Sequence, residues 1–228
     1  MGEYTLIGSI VEPNVITPEQ AADYVKSIIK KIEIDNESLN FHEHFLEPAS
    51  NQEWELFHRY ELYCPFLKKL FDKYDNYLEV NFAFDSQSNY NLFFLRILVP
   101  DDNYSLINES AKFIIRVVEK WILNSNVRYS YFHGSKDFLN NDEALSEKSF
   151  PQAIGWWNWF NKELLQNIDI EKFLAIPIYK NEEFKDGYVW QLTENFTEKP
   201  KPIILQEIKK IFYLCLYFFG NFGKDTFY

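Results

Sequence analysis

Between residues 77 and 122 the spacing of apolar residues changes from every second position to the spacing of a helix. Residues 77–85 alternate apolar and polar side chains, which predicts a strand with one buried face. Residues 86–89 are polar and predict a turn, and residues 92–99 are predicted to form the hairpin partner. An amphipathic helix follows, whose apolar face consists of Ile107, Ala111, Ile114, Ile115, Val118 and Ile122. A hairpin followed by such a helix buries its apolar faces when the helix packs on the sheet.

The remaining segments also predict strands and helices in alternation. Further strands are predicted at residues 4–11, 127–132, 173–178 and 188–192, the last two joined by a charged loop that contains Gly187. Thr17 before Pro18 marks the start of a first helix, and a last helix is predicted over residues 203–219. Residues 133–154 are polar and are predicted to form a long irregular loop.

A second helix is predicted after Ser50, which with Glu53 forms a possible capping box. Trp54, Phe57 and Tyr60 would then share one helical face. No linker or change of composition divides the chain. The prediction is one α+β domain over residues 1–228, with a mostly antiparallel sheet covered by helices.

The charge of the chain excludes several classes of partner. Its net charge is −11, and no basic run is longer than two residues, so neither nucleic acid nor an anionic membrane is an expected partner. The first residues, MGEYTLIGSI, carry an acid where a signal peptide has basic residues. We therefore expect a cytoplasmic protein.

The acidic residues are concentrated in one segment. Residues 33–61, the acidic segment, contain eight acidic residues and a single base, Arg59. One interpretation is a contact surface for a basic partner, for which the candidate residues are Glu43, Glu47, Glu53 and Glu55. Asp142 and Glu143 in the predicted loop are further candidates. The alternative is a solvated face that only keeps the protein soluble.

The sequence contains no nucleotide-binding, hydrolase or zinc-protease motif. His42 and His44 form an H-x-H pair, for which Glu47, His58 and Glu61 are candidates to complete a metal site. Their polar neighbours favour an exposed loop or helix end instead, so we predict no metal, no cofactor and no enzymatic activity. His133 has no evident partner for general-base chemistry. Cys64 and Cys215 are far apart and are expected to be buried thiols.

Residues 156–160, the aromatic cluster, contain three tryptophans and a phenylalanine. In a helix Trp156 would share a face with Trp159 or Phe160, whereas in a strand Trp157 and Trp159 would share one and Trp156 would face away. In either case the indoles are not expected to enter the same core. We predict a mainly structural cluster with one indole partly exposed, and name Trp157 as a candidate partner contact.

Several stretches, taken in order, resemble a known family. The chain has an N-terminal strand YTLIGSI, a helix EQAADYVKSIIKKI, and a strand LFFLRILVP leading into the helix AKFIIRVVEKWI. It continues with GWWNWF and with a tail, GYVWQLTENFTEKPKPIILQEIKKIF, that has a strand, a Thr/Glu turn and a closing helix. From about Tyr4 to Phe219 this order resembles the bacterial immunity protein 52 family. The stretch GSIVEP departs from the family pattern, which has a tryptophan after the first strand.

The resemblance implies an immunity protein that binds and neutralises the toxin domain of a polymorphic or contact-dependent toxin system. In this family the toxin is typically a nuclease, and the immunity protein is not an enzyme. Two other functions remain open. One is a small metal-dependent hydrolase built on His42, His44 and nearby carboxylates. The other is a scaffold or phage accessory protein without a toxin partner. The oligomeric state is also open.

Overall fold

A computed structural model describes residues 3–13, 16, 18–35, 37–45, 55–63, 78–84, 91–100, 102–135, 153–212 and 217–218. For the three strands between residues 40 and 84 the description is of the backbone. The helices are α1 (Pro18–Ile29), α2 (Tyr104–Asn124), α3 (Ile170–Leu174) and α4 (Pro202–Phe212), with a 3-10 turn at Lys162–Leu165. These helices accompany a large, antiparallel sheet, so the predicted α+β class is confirmed.

Nine of the described strands form one sheet. In spatial order they are β11 (Lys180–Phe184), β12 (Gly187–Gln191), β10 (Trp157–Asn161), β8 (Tyr129–Ser135), β1 (Glu3–Glu12), β7 (Asn91–Pro100), β6 (Leu78–Phe84), β5 (Glu55–Tyr63) and β4 (Asn40–Phe45). Every neighbouring pair in this sheet is antiparallel. Two small pairs lie apart from it, β2 (Glu33–Ile34) with β3 (Glu37–Ser38), and β9 (Ala153–Ile154) with β13 (Tyr217–Phe218).

Helices α1 and α2 cover one face of the sheet, which we call the helix face. Phe93 of β7 lies 5.9 Å from the ring of Tyr24 in α1 and 5.2 Å from that of Trp121 in α2. All six residues of the predicted apolar face of α2 are buried. A Cβ added to Gly8 of β1 would lie 2.6 Å from a methyl group of Ile114, so glycine permits the close packing of α2 on β1.

A buried carboxylate joins the first strand to both of these helices. Glu12, at the end of β1, is 3% exposed. It accepts hydrogen bonds from the Tyr24 hydroxyl and, at 2.8 Å, from the Trp121 indole nitrogen. Burial, and then the charge of Glu12, raises the pKa of Tyr24, so its hydroxyl stays protonated and donates. These two hydrogen bonds offset the cost of burying the Glu12 carboxylate, whereas burial of a carboxylate without donors would be strongly unfavourable.

The predicted hairpin, the first strand and the first helix are confirmed, but the predicted second helix is wrong. Residues 55–63 form β5, between β4 and β6, and residues 50–54 lie outside the described part of the chain. The pairing of β5 with β6 shifts register between Leu56 and His58. This irregularity interrupts the alternation of apolar residues, which explains why the sequence pattern of a strand resembles that of a helix here.

Three more predictions are corrected in the second half of the chain. Residues 173–178 do not form a strand, because Asp169 caps the short helix α3 by accepting from the Lys172 amide at 3.2 Å. The strand lies instead at β11, in the segment that was predicted to be a charged loop, and turns into β12 at Lys185 and Asp186. The last helix, predicted over residues 203–219, ends at Phe212 among the described residues. Tyr217–Phe218 is a strand, β13, that pairs with β9.

Candidate partner-binding surface

Part of the acidic segment is folded at one edge of the large sheet. Its described residues form the separate pair β2 and β3, and also β4 and most of β5, of which β4 is the last strand in the described order of the large sheet. Two of the candidate contacts occupy register positions there. Glu43 of β4 lies opposite Tyr60, and Glu55 of β5 lies opposite Phe84. The pairing of β4 with β5 therefore places at this edge acidic positions that are up to 18 positions apart in the sequence, Glu43 and Glu61.

The first residues of the segment alternate between solvent and core. Glu33 and Asp35 are exposed, whereas Ile34 between them is buried at 3% exposure. Asp35 adopts a positive φ of 55°, a conformation that Asp tolerates better than most residues. Its carboxylate pairs with the Arg116 guanidinium of α2 at 2.5 Å, where the Asp35 side chain is 61% exposed and the Arg116 side chain 38% exposed. Such a surface ion pair contributes little to stability.

The remaining acidic candidates fall elsewhere. Glu47 and Glu53 belong to residues 46–54, which lie outside the described part of the chain. The same holds for Asp142 and Glu143, because the description stops at Ser135 and resumes at Ala153. The start of the predicted loop is corrected, since His133 and Gly134 belong to β8. Cys64 and Cys215 also lie outside the description.

The aromatic cluster belongs to the core and not to the surface. Residues 157–161 form β10, so the strand alternative is the one adopted. Trp156, Trp157 and Trp159 are all buried in the same hydrophobic cluster, which corrects the expectation that they would be divided. Trp157 is 1% exposed, so its proposed role as a partner contact does not agree with its burial. The reason is that β10 lies between β8 and β12 with both of its faces covered.

The indole nitrogens of the cluster are used inside the molecule. Trp156 donates to the carbonyl oxygen of Thr193 at 3.0 Å, and Trp159 donates to that of Phe184 at 3.0 Å. Asn158, which is fully buried, binds both backbone groups of Gly155 at 2.8 and 2.9 Å. A buried indole or amide with satisfied polar atoms is typical of a structural role.

The face of the sheet opposite the helices carries most of its polar positions. On β8, the rings of Tyr129, Tyr131 and His133 follow one another at 5.4 and 5.5 Å, and all three are buried. Burial raises the pKa of Tyr129 and of Tyr131, so both phenols remain protonated. The Tyr129 hydroxyl and Asn158 lie within hydrogen-bond distance, 3.2 Å. This arrangement was not predicted, because it depends on the register of neighbouring strands.

Register extends this polar face towards the acidic edge. His133 lies opposite Ile7, Ile7 opposite Arg96 and Arg96 opposite Glu79. The same row continues to Glu61 on β5 and to His42 on β4. A neighbouring row contains Tyr131, Ser9, Phe94, Asn81, Arg59 and His44. Three of the four histidines of the chain are thus placed on one face.

The described residues contain neither a group of metal ligands nor a helix able to cross a membrane. Among the side chains that the structure describes, no three His, Cys, Asp or Glu residues are grouped as a metal site would require. Nor does any helix in the described ranges combine the length and apolar character needed to cross a membrane.

The comparisons with known proteins leave the family unassigned. No protein-family model matches the chain, and no curated protein matches it. Among solved structures the fold is similar to the Pseudomonas aeruginosa T6SS protein PA0821, at 12% identity and a TM-score of 0.46. That match covers 93% of this chain and 76% of the other. A likeness of this degree assigns neither family nor function, so the resemblance to the immunity protein 52 family stays a prediction.

Proposed function

We propose that this chain is an immunity protein, which binds a cognate toxin domain and neutralises it by protein–protein contact. The observation that carries the proposal is the placement of Glu43, Glu55 and Glu61 of the acidic segment on the paired strands β4 and β5, at one edge of the sheet. Charges gathered at an edge can meet a basic surface together, whereas the same charges spread over the molecule could not. The basic nucleic-acid cleft of a nuclease toxin would be such a surface.

The edge strand offers a second kind of contact. In the described part of the chain, β4 has β5 on one side and no strand on the other. An edge strand presents backbone N–H and C=O groups that a partner strand can pair with. Backbone pairing would supply affinity, and the acidic residues would favour basic partners over others.

The aromatic cluster is left out of the proposed contact. Its tryptophans are buried, and their indole nitrogens at Trp156 and Trp159 donate within the chain. Binding through these residues would require the strand β10 to leave the sheet. The proposed interface therefore depends on charge and on the sheet edge, with no buried indole as its anchor.

The experiment uses the toxin domain encoded next to the gene of this chain. Its association with the wild type is measured by stopped flow at low and high salt, together with a variant in which Glu43, Glu47, Glu53 and Glu55 are glutamine. Electrostatic steering raises association rates by about 10–1000-fold at low ionic strength. We expect the variant to associate at least about tenfold more slowly at low salt, and the difference to diminish as salt rises.

A matched control changes the same number of charges elsewhere. Glu109, Glu163, Glu171 and Glu194 are exposed and lie outside the acidic segment. Their replacement by glutamine should leave the association rate close to that of the wild type. An equal effect of both variants would assign the slower rate to net charge and contradict a contact at the acidic edge. Absence of any binding to the neighbouring toxin domain would contradict the immunity function itself.

A further inference from the structure

The large sheet ends at β11 on the side away from the acidic edge. In the described part of the chain, β11 has β12 on one side and no strand on the other. Its charged side chains are accessible to solvent: Glu183 is exposed, and the side chains of Lys180 and Glu182 are 33% and 51% exposed. Such an edge can pair with a further strand if its backbone groups point outwards.

The hydrogen bonds around β12 show which of its residues bond to each neighbouring strand. The amide of Lys162 donates to the carbonyl oxygen of Asp186 at 2.8 Å, just before β12 begins. The amide of Leu192 donates to the carbonyl oxygen of Trp156 at 2.9 Å, just after β12 ends. Since alternate residues of a strand bond to opposite neighbours, the even-numbered positions of β12 bond to β10 and the odd-numbered ones bond to β11.

The backbone of β11 therefore has groups that point away from the sheet. The residues opposite the odd-numbered positions of β12 are Lys180, Glu182 and Phe184, and their N–H and C=O groups bond within the sheet. Asn181 and Glu183 alternate with these residues. Their N–H and C=O groups point away from β12, to the side on which no strand is described.

The charges of β11 match a second copy of the same strand in one register. In a symmetric antiparallel pair of identical strands, the two-fold axis passes between one residue and its own copy. With Asn181 on the axis, Lys180 of each copy lies opposite Glu182 of the other, and opposite charges in opposed positions stabilise a sheet. With Lys180, Glu182 or Glu183 on the axis, that residue would instead lie opposite a like charge.

The same register also uses the outward backbone groups. Asn181 on the axis exchanges two backbone hydrogen bonds with its own copy, because its N–H and C=O groups point to the open side. Within one chain Lys180 pairs with Glu182 at 2.7 Å. Symmetric pairing joins the two intrachain pairs into one cluster of four alternating charges. Charges that keep an edge from pairing with other strands are thus complementary to their own copy.

An exposed apolar side chain lies beside Asn181. The Asn181 amide nitrogen donates to the carbonyl oxygens of Phe173 and Leu174, at 3.3 and 3.0 Å. Leu174 is the last residue of α3 and is 42% exposed. Because these hydrogen bonds hold Leu174 next to Asn181, an axis at Asn181 places both copies of Leu174 close to it, on the same face of the sheet. Burial of such apolar surface favours association.

We propose that the chain forms a symmetric dimer in which two copies of the edge strand β11 pair antiparallel about Asn181. Three features of this edge carry the proposal: the outward backbone of Asn181, the flanking charges of Lys180 and Glu182, and the exposed Leu174. The large sheet then continues from one copy into the other, and the acidic edge at β4 stays accessible in both. The dimer is therefore independent of toxin binding. The short strand places the contact at the weak end of protein interfaces.

The test is analytical ultracentrifugation of the full chain at concentrations up to about 1 mM. The wild type is expected to show an equilibrium between monomer and dimer. Lys180→Glu and Glu182→Lys should each weaken dimerisation by about tenfold or more, since two pairs of opposite charges become two pairs of like charges. The two substitutions change the net charge in opposite directions, so a loss common to both does not arise from net charge. Leu174→Ser should also weaken dimerisation, because less apolar surface is buried.

A mixture of the two charge variants tests the register itself. Lys180→Glu and Glu182→Lys, mixed in equal amounts, should associate with each other as the wild type does, because every opposed pair again joins opposite charges. The matched control is Lys112→Glu, which makes the same change of charge at an exposed lysine of α2 and should dimerise as the wild type does.

Several results would each overturn the proposal. They are a wild type that stays monomeric over the whole concentration range, dimerisation unchanged in either charge variant or in Leu174→Ser, equal loss in Lys112→Glu, and failure of the mixed variants to associate. Species larger than a dimer that grow with concentration would also contradict it, because pairing of β11 with β4 of a next copy is not closed by symmetry.

Discussion

The two ends of the large sheet differ in what their side chains do. At one end, β8, β10 and β12 are covered on both faces and bury three tryptophans of the aromatic cluster together with Trp190. At the other end, β5 and β4 carry Glu43, Glu55 and Glu61 of the acidic segment. Both segments are conspicuous in the sequence, but buried rings contribute to folding whereas dense like charges oppose it. An unusual composition is therefore a sign of function only where folding does not already require it.

The largest effect is expected at the aromatic end. Trp156 packs edge-on against Phe132 and Phe196 and donates to Thr193, so Trp156→Ala removes ring contacts and a hydrogen bond together. Its free energy of unfolding should fall by about 3–5 kcal/mol, as is usual for truncation of a buried aromatic residue. Chemical denaturation with intrinsic fluorescence measures this change.

Tyr179→Ala is the control for that substitution, because Tyr179 is 56% exposed. Its effect should be within about 0.5 kcal/mol, as for most surface substitutions. Should Trp156→Ala unfold like the wild type and yet fail to bind a partner, the aromatic end would be a contact surface and the comparison would be reversed.

Loss of the buried glutamate Glu12 should destabilise the protein less than loss of Trp156, but more than loss of the charges at the acidic edge. Glu12→Ala leaves the Tyr24 hydroxyl and the Trp121 indole nitrogen without their acceptor in the core. The free energy of unfolding should decrease by about 1–3 kcal/mol, the cost of an unsatisfied buried polar group. The variant with glutamine at 43, 47, 53 and 55 should unfold no more easily than the wild type. A comparable loss of stability in both variants would show that the acidic edge is also a structural element.

A smaller effect is expected at the link between the acidic segment and α2. Arg116→Ala removes the exposed ion pair with Asp35. The free energy of unfolding should change by less than about 1 kcal/mol, and less still at high salt. Thermal melts at two salt concentrations measure it. A loss that is large and independent of salt would indicate that Arg116 packs against the core rather than pairing at the surface.

The smallest effect concerns Glu119 of α2, which does not belong to the acidic segment. Burial raises the pKa of its carboxyl, and Glu182 raises it further, while Lys180, Arg116 and Lys120 lower it. Because the folded pKa is raised, the stability associated with the protonated form is complete below the unfolded pKa of about 4.3 and is lost as pH rises through the folded value. Glu119→Gln should therefore be slightly more stable than the wild type at pH 7.

That difference should disappear when both proteins are compared at a pH below the unfolded pKa, since the wild-type carboxyl is then neutral as well. Denaturant titrations at the two pH values provide the measurement. A Glu119→Gln variant that is less stable at pH 7 would show that the ionised carboxylate is held by its cationic neighbours.

The sequence predicted correctly those strands and helices in which apolar residues recur at a regular spacing. The alternation over residues 77–85 and the apolar face of α2 gave the hairpin and its covering helix, because one face of each must be buried. Prediction was wrong where a local irregularity or a cap changed the period. The register shift in β5 concealed a strand, and Asp169 started a short helix where apolar residues favoured a strand. The edge strand β11 was missed because the charges that protect an edge resemble those of a loop.

The candidate partner-binding surface also has some features that the sequence predicts and others that only the structure shows. The sequence by itself determined the α+β class, the concentration of acid between residues 33 and 61, and the presence of an H-x-H pair. Only the tertiary structure decided that the acid lies at a sheet edge, that Trp157 is buried, and that Glu61 rather than His58 lies opposite His42. Periodicity is a property of neighbours in the chain, whereas register and burial depend on strands from distant segments. A shift of one residue between β4 and β5 would place Glu61 on the other face, and nothing in the local sequence forbids that shift.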